Sequence, residues 1–386
     1  MTYRAGPLSS KNRLHVSIRG VVRRSAALLR KRNNARIFKR LISGRTANLD
    51  DIASFLAGKA IPIRAPLILI SQAQRSGGSL LNQLFDGHPT LAAYPGELRF
   101  GYEVNDEWPA LDVRCSVEKN FRLLLDLKLA RLMRHGYRKG GGRMLSPDGR
   151  QLIDRNTERH RFFLVPRVQY LIFKHLFEND PPTSQRDILN CFFTAAFNSW
   201  LDYQGLIDNK RWITAFAPRL ALEATATENF FQWYSDGRLI QIIRGPQSWF
   251  ASAKRQRSSV VHDKDLQQLV NLWKSSAESM LRNKSRFGDR VIILTFEDLI
   301  GRTEATMRRL ARELSIDYAP SLVEPTFNGR LIAANSSFGI EPLGLVGATL
   351  TRGKTLSEDE RSLIEYRCAE LHHKVLERSL QIENSP

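Results

Sequence analysis

The chain has 386 residues, 42% of them hydrophobic and 25% charged, with 58 Lys and Arg against 39 Asp and Glu. That balance is ordinary for a globular protein and excludes collagen-like, wholly disordered and disulfide-stapled miniature classes. The longest apolar runs fall well short of the ~20 residues that a membrane-spanning helix requires. Cys115, Cys191 and Cys368 stand too far apart for a zinc or redox motif and read as thiols of a reducing compartment.

The net charge of +19 is concentrated at the start, where residues 1–49 hold thirteen Lys or Arg and no acid. This acid-free arm interleaves apolar residues, from Val16 to Ile42, with its cations. Such a pattern suits a solvated arm. It also suits, as a second reading, a basic amphipathic helix on an anionic membrane surface, where each cation near lipid contributes about 1 kcal/mol. Organelle targeting and nucleic-acid contact are further uses of such arms, although no specific nucleic acid is expected here. No unbroken apolar core follows the first charges, so there is no secretory signal and the expected location is cytoplasmic, peripheral at the inner membrane face if the arm docks there.

From residue 64 onward, short apolar runs alternate with helical spacing. Pro66-Leu67-Ile68-Leu69-Ile70 predicts a strand buried on both faces. After the loop Ser71–Gly78, Ser79–Phe85 has helical spacing until Gly87-His88-Pro89 stops it. Residues 100–205 read as a mostly helical insertion, with helices over Phe121–Met133, Val168–Phe177 and Ile188–Leu201 and an exposed Gly/Arg-rich turn at 138–143. Trp212–Phe216 and Arg238–Ile243 predict two more strands, and Gly245-Pro246 opens a helix to about Arg257, proline being well placed at a helix start. Arg290–Phe296 is a further buried strand, a helix covers about Arg302–Leu314, and Leu356–Leu380 is a charged helix capped at Ser357. Strands separated by helices imply a parallel α/β sheet in one domain over residues 50–386.

The first strand runs directly into Gln72-Ala73-Gln74-Arg75-Ser76-Gly77-Gly78-Ser79-Leu80. A strand, a Gly/Ser loop and a helix start direct N–H groups and the positive end of the helix dipole at one point, which suits a phosphate or sulfate. Arg75 adds a charged fork, and two glycines allow close approach. The Gly-Lys-Ser/Thr of a nucleoside-triphosphatase loop is absent. A second candidate station follows a later strand, with Arg244 at its end, Pro246 opening the next helix, and Ser252 two turns along. Ligands of open parallel sheets bind beyond the carboxyl ends of the strands, so Arg75 and Arg244 are expected on one edge.

These two segments resemble the motifs of sulfotransferases that use 3′-phosphoadenosine 5′-phosphosulfate (PAPS). Arg75-Ser76-Gly77-Gly78-Ser79 is similar to the family's 5′-phosphosulfate loop, and Arg244, Pro246 and Ser252 match the order and spacing of its 3′-phosphate motif. Thr295-Phe296-Glu297-Asp298-Leu299 resembles the family's Glu-Asp-Leu strand end. Pro325–Gly329 and Asn335–Phe338 resemble C-terminal segments of bacterial members, and the middle of the chain matches poorly. One departure stands out: where many members carry Lys-Thr-Pro, this chain has Phe216-Ala217-Pro218.

The resemblance implies a P-loop-like parallel sheet flanked by helices, with the helical insertion forming the acceptor site. It also implies transfer of a sulfuryl group to an acceptor hydroxyl, with carbohydrate and hence polysaccharide modification foremost, and with no metal required. It assigns nucleotide binding to Arg75, Ser76, Gly77, Gly78, Ser79, Leu80, Arg244 and Ser252, with Ser337 and Arg352 closing over the nucleotide. Arg75 would stabilise the leaving phosphate, and Glu97 would take the acceptor proton, as the catalytic Glu of protein-tyrosine and heparan-type relatives does. His88 and His135 are lesser candidates for that base, and Glu297-Asp298 reads as an anchor for the strand end. Two other classes remain: a kinase on the same core, and a non-catalytic membrane- or nucleic-acid-binding protein led by the arm.

Overall fold

The fold is that of a computed structural model, which describes residues 36, 39, 47–98, 108–125, 164–254 and 265–332 without 202 and 206, then 344, 345, 347, 350, 353 and 355–382. Five strands form one parallel sheet: β1 Leu67–Ile70, β2 Leu91–Glu97, β3 Trp212–Phe216, β4 Arg238–Ile243 and β5 Val291–Thr295, in the order β2-β3-β1-β4-β5. Such a sheet is covered on both faces, because each crossover lays a helix against it.

Alternation along each strand divides the interior in two. Leu67, Leu69, Ile213, Ala215, Leu239 and Ile293 point to one face. Helices α4 Pro166–Asn179, α5 Gln185–Asn198, α6 Ala224–Trp233 and α8 Leu266–Phe287 cover it. Ile68, Ile70, Ile240, Ile242 and Leu294 point to the other, under α2 Gly78–Phe85, α9 Phe296–Gly301 and α10 Thr303–Glu313. The four strands expected from apolar runs are present.

The remaining expectations are met with shifted ends or fall outside the described residues. Helix α3 covers Val117–Leu124, earlier than the expected Phe121–Met133, whose end lies outside the described residues together with the turn at 138–143. Helix α7, Pro246–Lys254, has its proline at the start, and α11, Glu358–Glu377, is closed by the expected Ser357–Glu360 capping box. Helix α1, Ala47–Gly58, crosses the boundary drawn between residues 49 and 50. It buries Ala53 and Ala57, and the Asp50 carboxylate pairs with Arg167 of α4 at 3.0 Å. Strand β2 and helices α6 and α8 go beyond the expectations.

Topology positions the site. After β1 the chain crosses over β3 to reach β2; after β4 it turns the opposite way to β5. The loops leaving β1 and β4, which are neighbours, therefore part from one another and leave a crevice at their carboxyl ends. A buried relay fixes α2 against this edge. Thr214 Oγ1 donates to Asn82 Oδ1 at 2.9 Å, and Asn82 Nδ2 donates to the Tyr94 carbonyl at 2.9 Å.

Candidate active site

The loop after β1 is tied down at several points. Ser71 N–H donates to the Ile240 carbonyl of β4, and Ser71 Oγ accepts from Ala221 N–H at 2.8 Å. Ala73 N–H donates to Ser276 Oγ of α8 at 3.1 Å, and Trp249 Nε1 of α7 donates to the Gln74 carbonyl at 2.8 Å. Satisfying these backbone groups with side chains from other elements holds an irregular loop in one shape.

Arg75 and Gly77 both take left-handed backbone, with φ of 74° and 99°. Glycine adopts it freely; for arginine it is strained, a state found most often at functional sites. The expected reason for the two glycines is close approach of a ligand, and the structure adds a different one. A Cβ on Gly77 would meet Phe296 Cδ2 at 2.8 Å, and one on Gly78 would collide with the Phe216 ring and the Gln72 amide. The glycines let aromatic side chains of β3 and of the β5 end close beneath the loop.

The two candidate stations meet. Arg75 Nε donates to Ser252 Oγ at 3.2 Å, and Arg244 Nη1 donates to the Arg75 carbonyl at 3.1 Å. Arg244 is only 2% exposed; its Nε donates to Ser248 Oγ at 2.8 Å and its guanidinium carbon lies 4.2 Å from the Phe296 ring centre. A guanidinium so desolvated is a strong partner for an anion, since no bulk water screens it. Ser252 and Ser76 are buried and Ser79 is half-buried. The Leu80 side chain packs into the second core, so any part it has in an anion site falls to its backbone N–H.

Glu97 ends β2, half-exposed, beside Phe216 in the β2–β3 register, and Leu98 N–H donates to the Phe216 carbonyl at 2.7 Å. Phe216 in turn abuts Gly78, so Glu97 stands on the same edge of the sheet as the loop. His88 is placed otherwise. It precedes β2, hence on the opposite edge of a parallel sheet, where its Nε2 meets the Asp317 carbonyl at 2.9 Å and its Nδ1 accepts from Thr90 N–H. It is a buried clasp and not a base for this crevice. Ser337, Arg352 and His135 lie outside the described residues.

Several contributors had no marked signal in the sequence. Gln72 is fully buried, and neither Oε1 nor Nε2 has a hydrogen-bond partner among the described residues; Gln74 Oε1 is likewise unpartnered. Buried orphan polar groups are uncommon in folded proteins, and polar atoms beside an anion loop fit a polar ligand. The adjacency of both glutamines to the loop was the only available cue. Trp273 and Ser276 arrive from α8 through tertiary packing alone. No group of three or more His, Cys, Asp or Glu that would hold a metal is found among the described residues.

Residues 66–320 match the model of a sulfotransferase family. Among solved structures the chain is similar to the sulfotransferase domain from the curacin biosynthetic pathway, at 16% identity and a TM-score of 0.43, covering 80% of this chain and 99% of that one. It is also similar to the sulfotransferase domain of the Synechococcus olefin synthase (15%, TM-score 0.47, 85% and 98% covered) and to a mouse sulfotransferase complexed with PAP (11%, TM-score 0.36, 88% and 96% covered). No curated protein gives a significant match. The family match takes in more than half of the chain, including the whole sheet and both loops at its edge, and this protein belongs to the sulfotransferase family.

Proposed function

We propose that this protein transfers the sulfuryl group of PAPS to an acceptor hydroxyl, with the 5′-phosphosulfate on the Arg75–Leu80 loop and the 3′-phosphate at Arg244 and Ser252. The observation that carries this reading is the Arg75 Nε–Ser252 Oγ bond of 3.2 Å, which unites the two motifs across 177 residues of chain. A nucleotide with two separate anionic groups matches two such stations. The buried Gln72 amide and Gln74 Oε1, unpartnered among the described residues, and the α2 N-terminus fit its polar end.

Sulfuryl transfer, like phosphoryl transfer, relies on positioning and charge stabilisation. Arg75 is assigned to the negative charge that develops on the leaving phosphate, and Glu97 to the proton of the attacking hydroxyl. No step calls for a metal. The helical insertion of about residues 100–205 is assigned to the acceptor, and carbohydrate is the acceptor class favoured by the resemblance to bacterial members. Residues 1–49 are assigned to an anionic membrane surface, with the domain of residues 50–386 on the cytoplasmic side. No described helix is long and apolar enough to cross a membrane.

The test is calorimetric binding of adenosine 3′,5′-bisphosphate (PAP) against adenosine 5′-monophosphate to the full chain, at physiological salt without magnesium. The expected result is strong preference for the bisphosphate. Equal binding of the two overturns the assignment of Arg244 and Ser252 to a 3′-phosphate.

A further inference from the structure

The Arg244–Gly245 peptide is gripped at both of its polar ends. Trp273 Nε1, from α8, donates to the Arg244 carbonyl at 3.0 Å, while Gly245 N–H donates to Glu297 Oε1 at 3.1 Å. In a trans peptide the C=O and N–H point in opposite directions, so the two partners hold this one unit from opposite sides. Together they fix its rotation. With β4 holding the chain on the other side of Arg244, this fixes the main chain from which the Arg244 side chain departs.

The same short segment braces the side chain itself. Phe296, adjacent to Glu297, lies beneath the Arg244 guanidinium and against Gly77 of the first loop. Burial pushes the Glu297 carboxyl above its ordinary value, opposed by its hydrogen bonds and by the Arg244 charge. Attraction to Arg244 favours the Glu297 charge, but that charge would oppose an anion on the arginine and does not alone explain the placement of Glu297. An acceptor for Gly245 N–H does, and that acceptor survives protonation.

We infer that Glu297 and Trp273 are positioning residues that clamp the Arg244–Gly245 peptide and thereby aim Arg244 at the second anion station. This goes beyond the role of Glu297 as an anchor for the strand end, and rests on the reading of that station as the 3′-phosphate site. The aim depends on the acceptor oxygen of Glu297 and the indole N–H of Trp273, and not on the Glu297 charge.

The experiment pairs nucleotide affinity with a readout that needs no nucleotide. In full-length wild type, Glu297→Gln, Glu297→Ala and Trp273→Phe, one measures affinities for PAP and adenosine 5′-monophosphate, and hydrogen exchange at the Gly245 amide in the free protein. Glu297→Gln retains an acceptor and removes the charge, so PAP binding at wild-type strength or tighter is expected, with slow exchange. Glu297→Ala and Trp273→Phe are expected to lose about tenfold in PAP affinity, the scale of one lost buried hydrogen bond, with monophosphate binding unchanged. Glu297→Ala should also make Gly245 exchange fast.

Gly245 exchange equally fast in wild type and Glu297→Ala overturns the clamp. So do PAP affinity unchanged in Glu297→Ala, parallel loss of both nucleotides, or Glu297→Gln behaving as Glu297→Ala. Wild type that fails to prefer PAP, while Gly245 exchange follows the expected pattern, overturns only the assignment of the station to a 3′-phosphate and leaves the clamp standing.

Discussion

Arg75 Nε and Ser252 Oγ lie 3.2 Å apart, which places the loop after β1 in direct contact with helix α7, 177 residues away in sequence. Because β1 and β4 are neighbours while their loops diverge, this contact closes the floor of the crevice. An anion entering there meets both side chains together with the buried Arg244. Arg244→Ala should weaken PAP binding by about 1.5–3 kcal/mol, the scale of a hydrogen bond to a charged group, and Ser252→Ala by about 1 kcal/mol. Calorimetry on variants shown by thermal unfolding to be folded checks both. Unchanged affinity removes these residues from the site.

Arg75 sets conformation against function. Its φ of 74° suits glycine better than arginine, and left-handed non-glycine residues cost on the order of 1 kcal/mol or more. Arg75→Gly should therefore unfold at an unchanged or higher temperature, despite losing the bond to Ser252, while nucleotide affinity and turnover fall steeply. A marked drop in unfolding temperature would show that the side-chain contacts outweigh the backbone strain.

Under the proposed reaction, Glu97→Gln keeps the shape of the β2 end and removes the proton acceptor. Nucleotide affinity should stay within about twofold of wild type, and turnover should fall by a factor of ~100 or more, the usual range for a lost general base. The pair of measurements separates base from binder. Full turnover in Glu97→Gln overturns the assignment.

His88 carries a pH signature unrelated to catalysis. Burial lowers its pKa, the bond to the Asp317 carbonyl opposes the shift, and Lys210 lowers it further. Nδ1 accepts from Thr90 N–H, so a proton on that nitrogen displaces an existing donor. The unfolded chain thus binds a proton that the folded protein resists, and stability increases with pH wherever that difference exists. Full stability is expected above the ordinary histidine pKa, with loss as pH falls through it towards the lowered native value. Urea unfolding at pH 7.5 and 5.5 should show a smaller decline in His88→Asn than in wild type. His372, also lowered by burial, contributes a decline of the same sign in both proteins.

Sequence by itself determined the local chemistry of this protein. Strands β1, β3, β4 and β5 declared themselves as continuous apolar runs, because strands buried on both faces must be apolar along their whole length. Helix α11 declared its start through the Ser357–Glu360 capping box. The Arg75–Ser79 loop and the Arg244, Pro246, Ser252 spacing were legible because each of the two proposed anion stations lies on one short stretch of chain at a strand–helix junction.

Strand β2 was not legible. Its sequence, Leu91–Glu97, ends in Pro95-Gly96-Glu97, which reads as a turn, and only pairing with β3 makes it a strand. Helix α8 shows why partners of the site were missed. Trp273 and Ser276 sit among polar residues on an unremarkable amphipathic stretch, and their partners, Arg244 and Ala73, are 29 and 203 residues away. Tertiary structure alone decided that Phe296 packs beneath Gly77 and Arg244, that Leu80 faces the core, and that His88 stands on the wrong edge. Each is a matter of which face or edge a residue occupies once the strand order β2-β3-β1-β4-β5 is set. Long-range packing sets that order, and no local pattern encodes it.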